Sequence, residues 1–310
     1  MAIPDYQSLM LPVLQFLKDG HEHTTSQCVE FLADQFGLSS EERLQLLPSG
    51  SQPVFANRVG WTTTYQVKAG LIERTARSRI RITSSGQHTL LQNPPRIDNA
   101  YLSQFPGFAE FRSRAHPKES LKIKSTGATP ASTASGQGLS PDEQLEETYL
   151  GLRQKLAQEL LERVKLAPPI FFERLVIDLL VSMGYGGSRP DAARAVGGTG
   201  DGGIDGIIKE DKLGLDSVYI QAKRWERQVG RPDVQAFAGS LEGQRARKGV
   251  YITTSSFSKD ALDYVTRIEK RIVLIDGEEL TSLMIDHGVG VADVVSYHIK
   301  RVDADYFEDS

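Results

Sequence analysis

A glycine-rich segment with two acids, followed by a short strand, constrains the fold most. Residues 197–206 are Gly-Gly-Thr-Gly-Asp-Gly-Gly-Ile-Asp-Gly, and such glycine density is typical of a tight bend where backbone segments approach closely. Sixteen residues after Asp205, Gln221 lies in the alternating run Val218–Lys223, which predicts a β-strand. Side chains two apart on a strand share a face. The sequence therefore predicts a hairpin that presents Asp205, Gln221 and Lys223 together.

These three residue types suit the metal-dependent hydrolysis of a phosphodiester. Magnesium takes few protein oxygens, keeps several waters and binds substrate phosphate with its remaining positions. It can polarise the phosphoryl oxygen, orient the attacking water or stabilise the leaving oxygen. Asp205 and Gln221 offer oxygens, and Lys223 offers positive charge where negative charge develops in the transition state. We therefore predict a nuclease that uses Mg²⁺, with Mn²⁺ as the alternative ion.

The same residues carry a family resemblance. A helix acid, a hairpin aspartate and a Q-x-K strand, in that order, are similar to the PD-(D/E)xK nuclease fold in its Q-x-K variant. The wider sequence resembles the Mrr restriction endonucleases along the whole chain, including the N-terminal stretch NRVGWTTTYQVKAGL. The resemblance implies a type IV endonuclease that cuts methylated double-stranded DNA. It aligns Asp205, Gln221 and Lys223 with the catalytic motif, and Glu173 with the acid of the first core helix.

Gln221 departs from the broader nuclease pattern, which has Asp or Glu at this position. Its neutral amide oxygen is a weaker ligand than a carboxylate. Because a hard dication prefers charged oxygens, we expect a second carboxylate from Glu173 or Asp201. The sequence does not choose between them. Asp201 equally suits a turn among the glycines. Without the family resemblance, the solvent face of an amphipathic helix is the preferred interpretation of Glu173.

Residues 1–100 have the pattern of a DNA-binding domain. Apolar periodicity predicts helices over 6–18, 25–36, 41–47 and 58–69, followed by short strands at 71–74 and 80–83. Helices followed by a basic hairpin predict a winged helix, with a helix in the major groove and the hairpin on phosphates. The residues expected to bind DNA are Arg58, Lys68, Arg74, Arg77, Arg79 and Arg81. The alternative is that these arginines form a solvated face.

The rest of the chain divides into three parts. Residues 101–140 form the expected linker, because 125–138 are small and polar and cannot bury a core. Residues 141–290 alternate helices with strands, which predicts an α/β catalytic domain with a mixed sheet covered on both faces. Its first helix, 141–165, carries Leu145, Leu152, Leu156 and Val164 as an apolar stripe. Residues 291–310 form an acidic C-terminal tail.

Composition narrows the function classes. No apolar run has membrane-spanning length, and the N-terminus lacks a basic region followed by an apolar stretch, so we expect no anchor and no signal peptide. A single cysteine, Cys28, excludes an internal disulfide and fits a reducing cytoplasm, where the nucleoid lies. The glycine segment lacks the Gly-Lys-Ser/Thr ending of a nucleotide-binding loop, so we expect no nucleotide.

Charge and stoichiometry indicate the partners. The net charge is −4, but residues 276–310 carry nine acids against Lys300 and Arg301, so the rest of the chain is close to balanced and can contact DNA locally. One active site cuts one strand, so cutting a duplex predicts a homodimer or a higher homo-oligomer.

The alternative function is a non-cleaving DNA-binding regulator whose nuclease-like core is inert, because Gln221 weakens the metal site. The presence of Asp205 and Lys223 favours the enzyme.

Overall fold

The computed structural model describes residues 3–115, 138–186, 204–210 and 216–300, together with Val302 and Tyr306. Asp201, most of the glycine-rich bend and the Ser- and Thr-rich part of the predicted linker lie outside these residues. The chain divides into two units. The first comprises residues 1–150 with 301–310, and the second comprises residues 151–300.

The first unit is mainly helical, with a three-stranded antiparallel sheet in the order β1-β3-β2. Its elements are α1 (Met10–Phe16), β1 (His23–Thr24), α2 (Thr25–Gln35), α3 (Ser40–Leu44), α4 (Val54–Lys68), β2 (Ile72–Ala76), β3 (Arg79–Ile82), α5 (Ser84–Leu91), α6 (Asn99–Leu102) and α7 (Pro106–Ala115). The four predicted helices and the hairpin are therefore present, with shifted bounds.

Local sequence signals set several of these bounds. Thr24 caps α2, since its hydroxyl accepts a hydrogen bond from the Gln27 N–H at 3.1 Å, and the Gln27 side chain accepts one from the Thr24 N–H at 2.8 Å. The helix predicted over 58–69 begins earlier, at Val54, because Pro53 holds an extended backbone (φ −63°, ψ 136°) immediately before it. It ends before Gly70, which adopts φ +75°. Cys28 is buried on α2.

Residues 99–115 belong to the first unit, although residue 101 onward is predicted as linker. Leu102 and Phe108 are fully buried in its core. The Phe108 ring packs edge-on against Tyr65, with 5.3 Å between the centroids. The spacing of Phe105, Phe108 and Phe111 by three residues is the signal for this helical packing. The start of the predicted linker is therefore corrected to after α7.

The second unit contains the predicted mixed sheet, in the order β4-β5-β6-β7. Strand β4 is antiparallel to β5, and β5, β6 and β7 are parallel. The elements are α8 (Pro141–Leu166, whose first ten residues belong to the first unit), α9 (Pro169–Ser182), β4 (Gly206–Lys209), β5 (Ser217–Lys223), α10 (Arg231–Gly243), β6 (Lys248–Thr253), α11 (Lys259–Val265), β7 (Arg271–Ile275) and α12 (Gly277–Asp286).

Both faces of this sheet are covered. On one face Ile220 and Ala222 of β5 join a core with α8, α9 and α12. On the other face Tyr251 of β6 joins a core with Phe237 of α10 and Ala261 of α11. The predicted α/β class, with helices on both faces of a mixed sheet, is therefore confirmed. No helix in the described ranges is long and apolar enough to cross a membrane.

Candidate active site

Asp205 lies immediately before β4 and is held by the backbone of β5. Its N–H donates to the carbonyl of Ile220 at 2.8 Å. Its Oδ2 accepts a hydrogen bond from the N–H of Ala222, also at 2.8 Å. The carboxylate thus replaces a backbone carbonyl at the end of the β4–β5 ladder, which fixes its orientation.

Lys223, the last residue of β5, lies beside this carboxylate. Its Nζ is 3.5 Å from Asp205 Oδ2, and the two side chains are about one-quarter and one-fifth exposed. The Lys223 carbonyl accepts a hydrogen bond from Thr253 Oγ1 at 2.9 Å, which joins the end of β5 to β6. The ammonium group is therefore positioned yet open to a ligand from solvent.

Gln221 completes the group, because the antiparallel register pairs Gly206 with Ile220 and so puts Asp205 opposite Gln221. The Gln221 side chain is buried, at 7% exposure. Its Oε1 has no hydrogen-bond partner among the described residues. A buried acceptor without a hydrogen-bond partner costs about 1–3 kcal/mol of stability. An ion or a water molecule bound to Gln221 Oε1 would remove this cost.

These oxygens fit a hard divalent cation. Among the described residues, neither Gln221 Oε1 nor Asp205 Oδ1 accepts a further hydrogen bond. Carboxylate and amide oxygens are the ligand types that Mg²⁺ and Mn²⁺ take in proteins. Within the described ranges, no three carboxylate, imidazole or thiolate side chains form a group that could hold a metal.

Glu173 lies on α9, and the described residues show no hydrogen bond or ion pair that joins it to this group. Helix α9 packs on the face of β5 formed by Ile220 and Ala222, whereas strand alternation directs Gln221 and Lys223 to the opposite face. No hydrogen bond or ion pair joins the half-exposed Glu173 carboxylate to another residue of the described chain. The other expected carboxylate, Asp201, lies outside the described residues.

Tyr251 adjoins the site, and sequence reasoning does not identify it. The parallel register pairs it with Gln221. Its ring packs edge-on between Phe237 and Phe257, with both centroid distances at 5.6 Å. Burial raises the pKa of the Tyr251 hydroxyl, and the nearby Asp233 carboxylate raises it further, so the hydroxyl stays protonated. Alternation predicts the strand, but only the β5–β6 register reveals this neighbour.

The hairpin arginines lie on the outer surface of the first unit. Arg74, Arg77, Arg79 and Arg81 are exposed, while Ile80 and Ile82 alternate into the core. Several contact neighbouring polar groups: Arg81 pairs with Glu73 at 2.7 Å, Arg79 with Glu22 at 3.5 Å, and Arg74 donates to Thr64 at 3.2 Å. Lys68, also exposed, lies with its Nζ 5.6 Å from the centre of the Phe111 ring.

Arg58 is different, and its expected role at the DNA surface is corrected. Its side chain is only 13% exposed and pairs at 2.7 Å with Glu143, which is 10% exposed. It also donates to the carbonyls of Ile3 at 2.6 Å and Pro4 at 2.9 Å. Its charge is therefore used inside the first unit, where it holds the start of α8 on α4. Asn57 supports the same contact, donating to Asp142 at 2.7 Å.

Comparison with known proteins identifies the class. Residues 165–284 match the Mrr catalytic family described as "Restriction endonuclease", and residues 6–92 match the Mrr N-terminal domain. The second unit is thus a restriction endonuclease domain, and the chain is a DNA endonuclease.

The whole chain belongs to the Mrr family. It is 38% identical over 310 residues, covering 99% of this chain and 100% of the relative, to the "Type IV methyl-directed restriction enzyme EcoKMrr" of Escherichia coli (strain K12). A more distant likeness, at 19% identity and a TM-score of 0.26, is to the structure of the MspJI restriction endonuclease in complex with a 27-mer oligonucleotide. It covers 69% of this chain and 51% of that chain.

Proposed function

We propose that this protein is a type IV restriction endonuclease, which hydrolyses phosphodiester bonds in methylated double-stranded DNA with Mg²⁺, or Mn²⁺ in its place. One observation carries the proposal. In a restriction endonuclease domain, the fixed Asp205 carboxylate and the ammonium of Lys223 lie at the end of β5. Beside them is the buried oxygen of Gln221, which has no hydrogen-bond partner among the described residues. This combination supplies metal ligands and a positive charge within one small site.

The three residues have distinct proposed roles. Asp205 and Gln221 would hold the ion, which when bound supplies a Lewis acid and an activated water. Asp205 is kept in place by the Ala222 N–H, so its free oxygen needs no reorientation to bind. Lys223 exchanges its contact with Asp205 for the scissile phosphate and stabilises the negative charge of the transition state. Glu173 or Asp201 is the proposed further carboxylate.

The first unit is the proposed DNA-binding domain, called the reader below. Its order of helix, short strand, helices and hairpin supports a winged helix with α4 in the major groove. The exposed Lys68, Arg74, Arg77, Arg79 and Arg81 support phosphate contact by the end of α4 and by the hairpin. Methyl recognition is proposed from the relative, which is methyl-directed by name.

The proposed active form is a homodimer or higher homo-oligomer. Each chain supplies one Asp205, Gln221 and Lys223 group, and a duplex has two strands to cut. The DNA substrate and the single buried cysteine are in keeping with action in the cytoplasm.

A matched pair of plasmids tests this function. One plasmid is methylated and the other is not, and both are incubated with the full chain and Mg²⁺. We expect cleavage of the methylated plasmid alone, and none by Asp205→Ala, which should still bind the DNA in a gel-shift assay because the reader is unchanged. Equal cleavage of both plasmids would overturn methyl dependence. Cleavage by Asp205→Ala at the normal rate would overturn the site.

A further inference from the structure

Arg227, four residues after Lys223, is held in a fixed orientation on the surface of the second unit. Its guanidinium stacks on the indole of Trp225, with the central carbon 3.8 Å from the ring centroid. It also forms a bidentate pair with Asp233, from Nη1 to Oδ2 and from Nη2 to Oδ1, both at 3.0 Å. The Arg227 side chain is nevertheless 58% exposed. The ring and the carboxylate thus orient a guanidinium that is open to a ligand from solvent.

Two N–H groups on one edge of this guanidinium are available to such a ligand. Nη1 donates to Asp233 and, at 3.4 Å, to the carbonyl of Gln228, while Nη2 uses one of its two protons on Asp233. In the described ranges, no residue accepts a hydrogen bond from Nε–H or from the second Nη2 proton. These two donors are adjacent and parallel, which matches two oxygens of a phosphate. The exposed edge of Arg227 therefore has the geometry of a phosphate contact.

The segment that carries Arg227 is a hydrogen-bonded continuation of β5. The carbonyl of Trp225 accepts a hydrogen bond from Thr254 Oγ1 at 2.9 Å. The N–H of Val229 donates to the carbonyl of Ser256, also at 2.9 Å. These contacts keep residues 225–229 beside the chain that follows β6, at the end of the sheet where β5 carries its catalytic lysine. The position of Arg227 is therefore anchored relative to the candidate active site.

Distance and charge make a backbone phosphate of the bound DNA the fitting ligand. Four residues of fully extended chain span at most about 14 Å, and the phosphates of one DNA strand rise about 3.4 Å each along the duplex. Arg227 therefore lies within a few nucleotides of a phosphate bound at Lys223. Residues 223–233 carry four basic residues against two acids. The surface beside the active site thus favours an anion.

We propose that Arg227 binds a backbone phosphate close to the one that is cut, through Nε–H and Nη2–H, and so positions the DNA strand at the active site. The proposal rests on the nuclease function proposed above. Trp225 and Asp233 act by orienting the guanidinium. Arg227 is a positioning residue, because it holds the strand without touching the reacting atoms, and its loss should slow cleavage of bound DNA.

Arg227→Ala in the full chain tests the contact by DNA binding without divalent ions, so that no strand is cut. Loss of one phosphate contact should reduce the salt slope of binding by about 0.9 and weaken binding by about tenfold. The matched control is Arg247→Ala, an exposed arginine immediately before β6, at the opposite end of the same sheet. We expect this control to bind like the wild type. An unchanged slope and affinity for Arg227→Ala, or an equal loss for Arg247→Ala, would overturn the proposal.

A neutral phosphate analogue identifies the ligand. Once the cut position in one methylated duplex is mapped, a methylphosphonate replaces each neighbouring phosphate in turn, and single-turnover cleavage is measured at saturating enzyme. At the phosphate that Arg227 binds, the analogue should slow the wild type by about tenfold or more. The same analogue should slow Arg227→Ala no further. Equal slowing of both proteins at every position would overturn the proposal.

Each comparison of analogue with natural phosphate is made within one protein, so a general loss of activity in Arg227→Ala does not imitate the expected result. Failure of the nuclease function is distinguishable from failure of this proposal. In that case no variant would cut, while the salt slope of Arg227→Ala would still report the phosphate contact.

Discussion

Replacing Arg58 by methionine should destabilise the first unit strongly. The guanidinium makes three hydrogen-bond contacts with Glu143, at 3.2, 3.1 and 2.7 Å, and donates to the Ile3 and Pro4 carbonyls. Methionine keeps the apolar stem but leaves the Glu143 carboxylate buried without its cation. Breaking a buried pair by removing one partner costs about 3–5 kcal/mol. Because both side chains retain slight exposure, we expect about 3 kcal/mol.

Urea unfolding, followed by the fluorescence of Trp61, measures the loss of stability of the first unit. Trp61 donates from Nε1 to Asp142 at 3.1 Å and so reports on the same contact between α4 and α8. A Trp225→Phe background leaves Trp61 as the only tryptophan. The midpoint should fall while the denaturant slope is unchanged. Replacing both partners, as Arg58→Met with Glu143→Leu, should recover part of the loss, because no charge then stays buried unpaired.

Arg81→Met is the matched control for this experiment. Arg81 pairs with Glu73 at 2.7 Å as well, but the two side chains are 44% and 46% exposed. Water already solvates such a pair, so its loss should cost less than about 1 kcal/mol. If Arg58→Met were no more destabilising than Arg81→Met, the buried-pair reasoning would be refuted.

Three further predictions concern Glu143, the hairpin arginines and Gln221. Burial by itself raises the pKa of Glu143, but hydrogen bonds from Arg58 and Ser140 outweigh it and hold the pKa below its usual 4.5. Stability from this carboxylate is thus present above about pH 4.5 and lost as the pH falls through the lowered pKa, so acid titration of Glu143→Gln should lack this loss. Arg77→Ala with Arg79→Ala should reduce the salt slope of DNA binding by about 0.9 per lost phosphate contact, whereas an unchanged slope would remove the hairpin from the interface. Gln221→Glu should tighten Mn²⁺ binding in calorimetry, since a charged oxygen replaces a neutral one, and unchanged affinity would argue against Gln221 as a ligand.

Periodicity and turn residues predict most elements of this fold because their causes are local. Alternation over Val218–Lys223 identifies β5, and the glycines at positions 70 and 184 follow the ends of α4 and α9 with positive φ angles. Asp205, Gln221 and Lys223 could be predicted to meet because a hairpin connects them. Their contacts depend on one antiparallel register alone.

Features that depend on distant contacts are not predictable in this way. Arg58 has the composition of a DNA contact, and only the docking of Glu143 onto α4 shows that its charge is used internally. Likewise, Tyr251 reaches the site through the parallel register of β5 and β6, which no local pattern specifies. Helix α8 has apolar residues on two faces, and the sequence alone does not show which face is buried.

Single-turnover cleavage of a methylated duplex by Lys223→Ala tests the central claim most directly. The matched control is Lys209→Ala, which removes an exposed lysine from the adjacent strand β4. Loss of an electrostatic group at the reacting phosphate lowers the rate by roughly 10²–10³-fold. We expect this loss for Lys223→Ala, with DNA binding retained, and a rate close to that of the wild type for Lys209→Ala. Cleavage by Lys223→Ala at the wild-type rate would contradict the assignment of the active site.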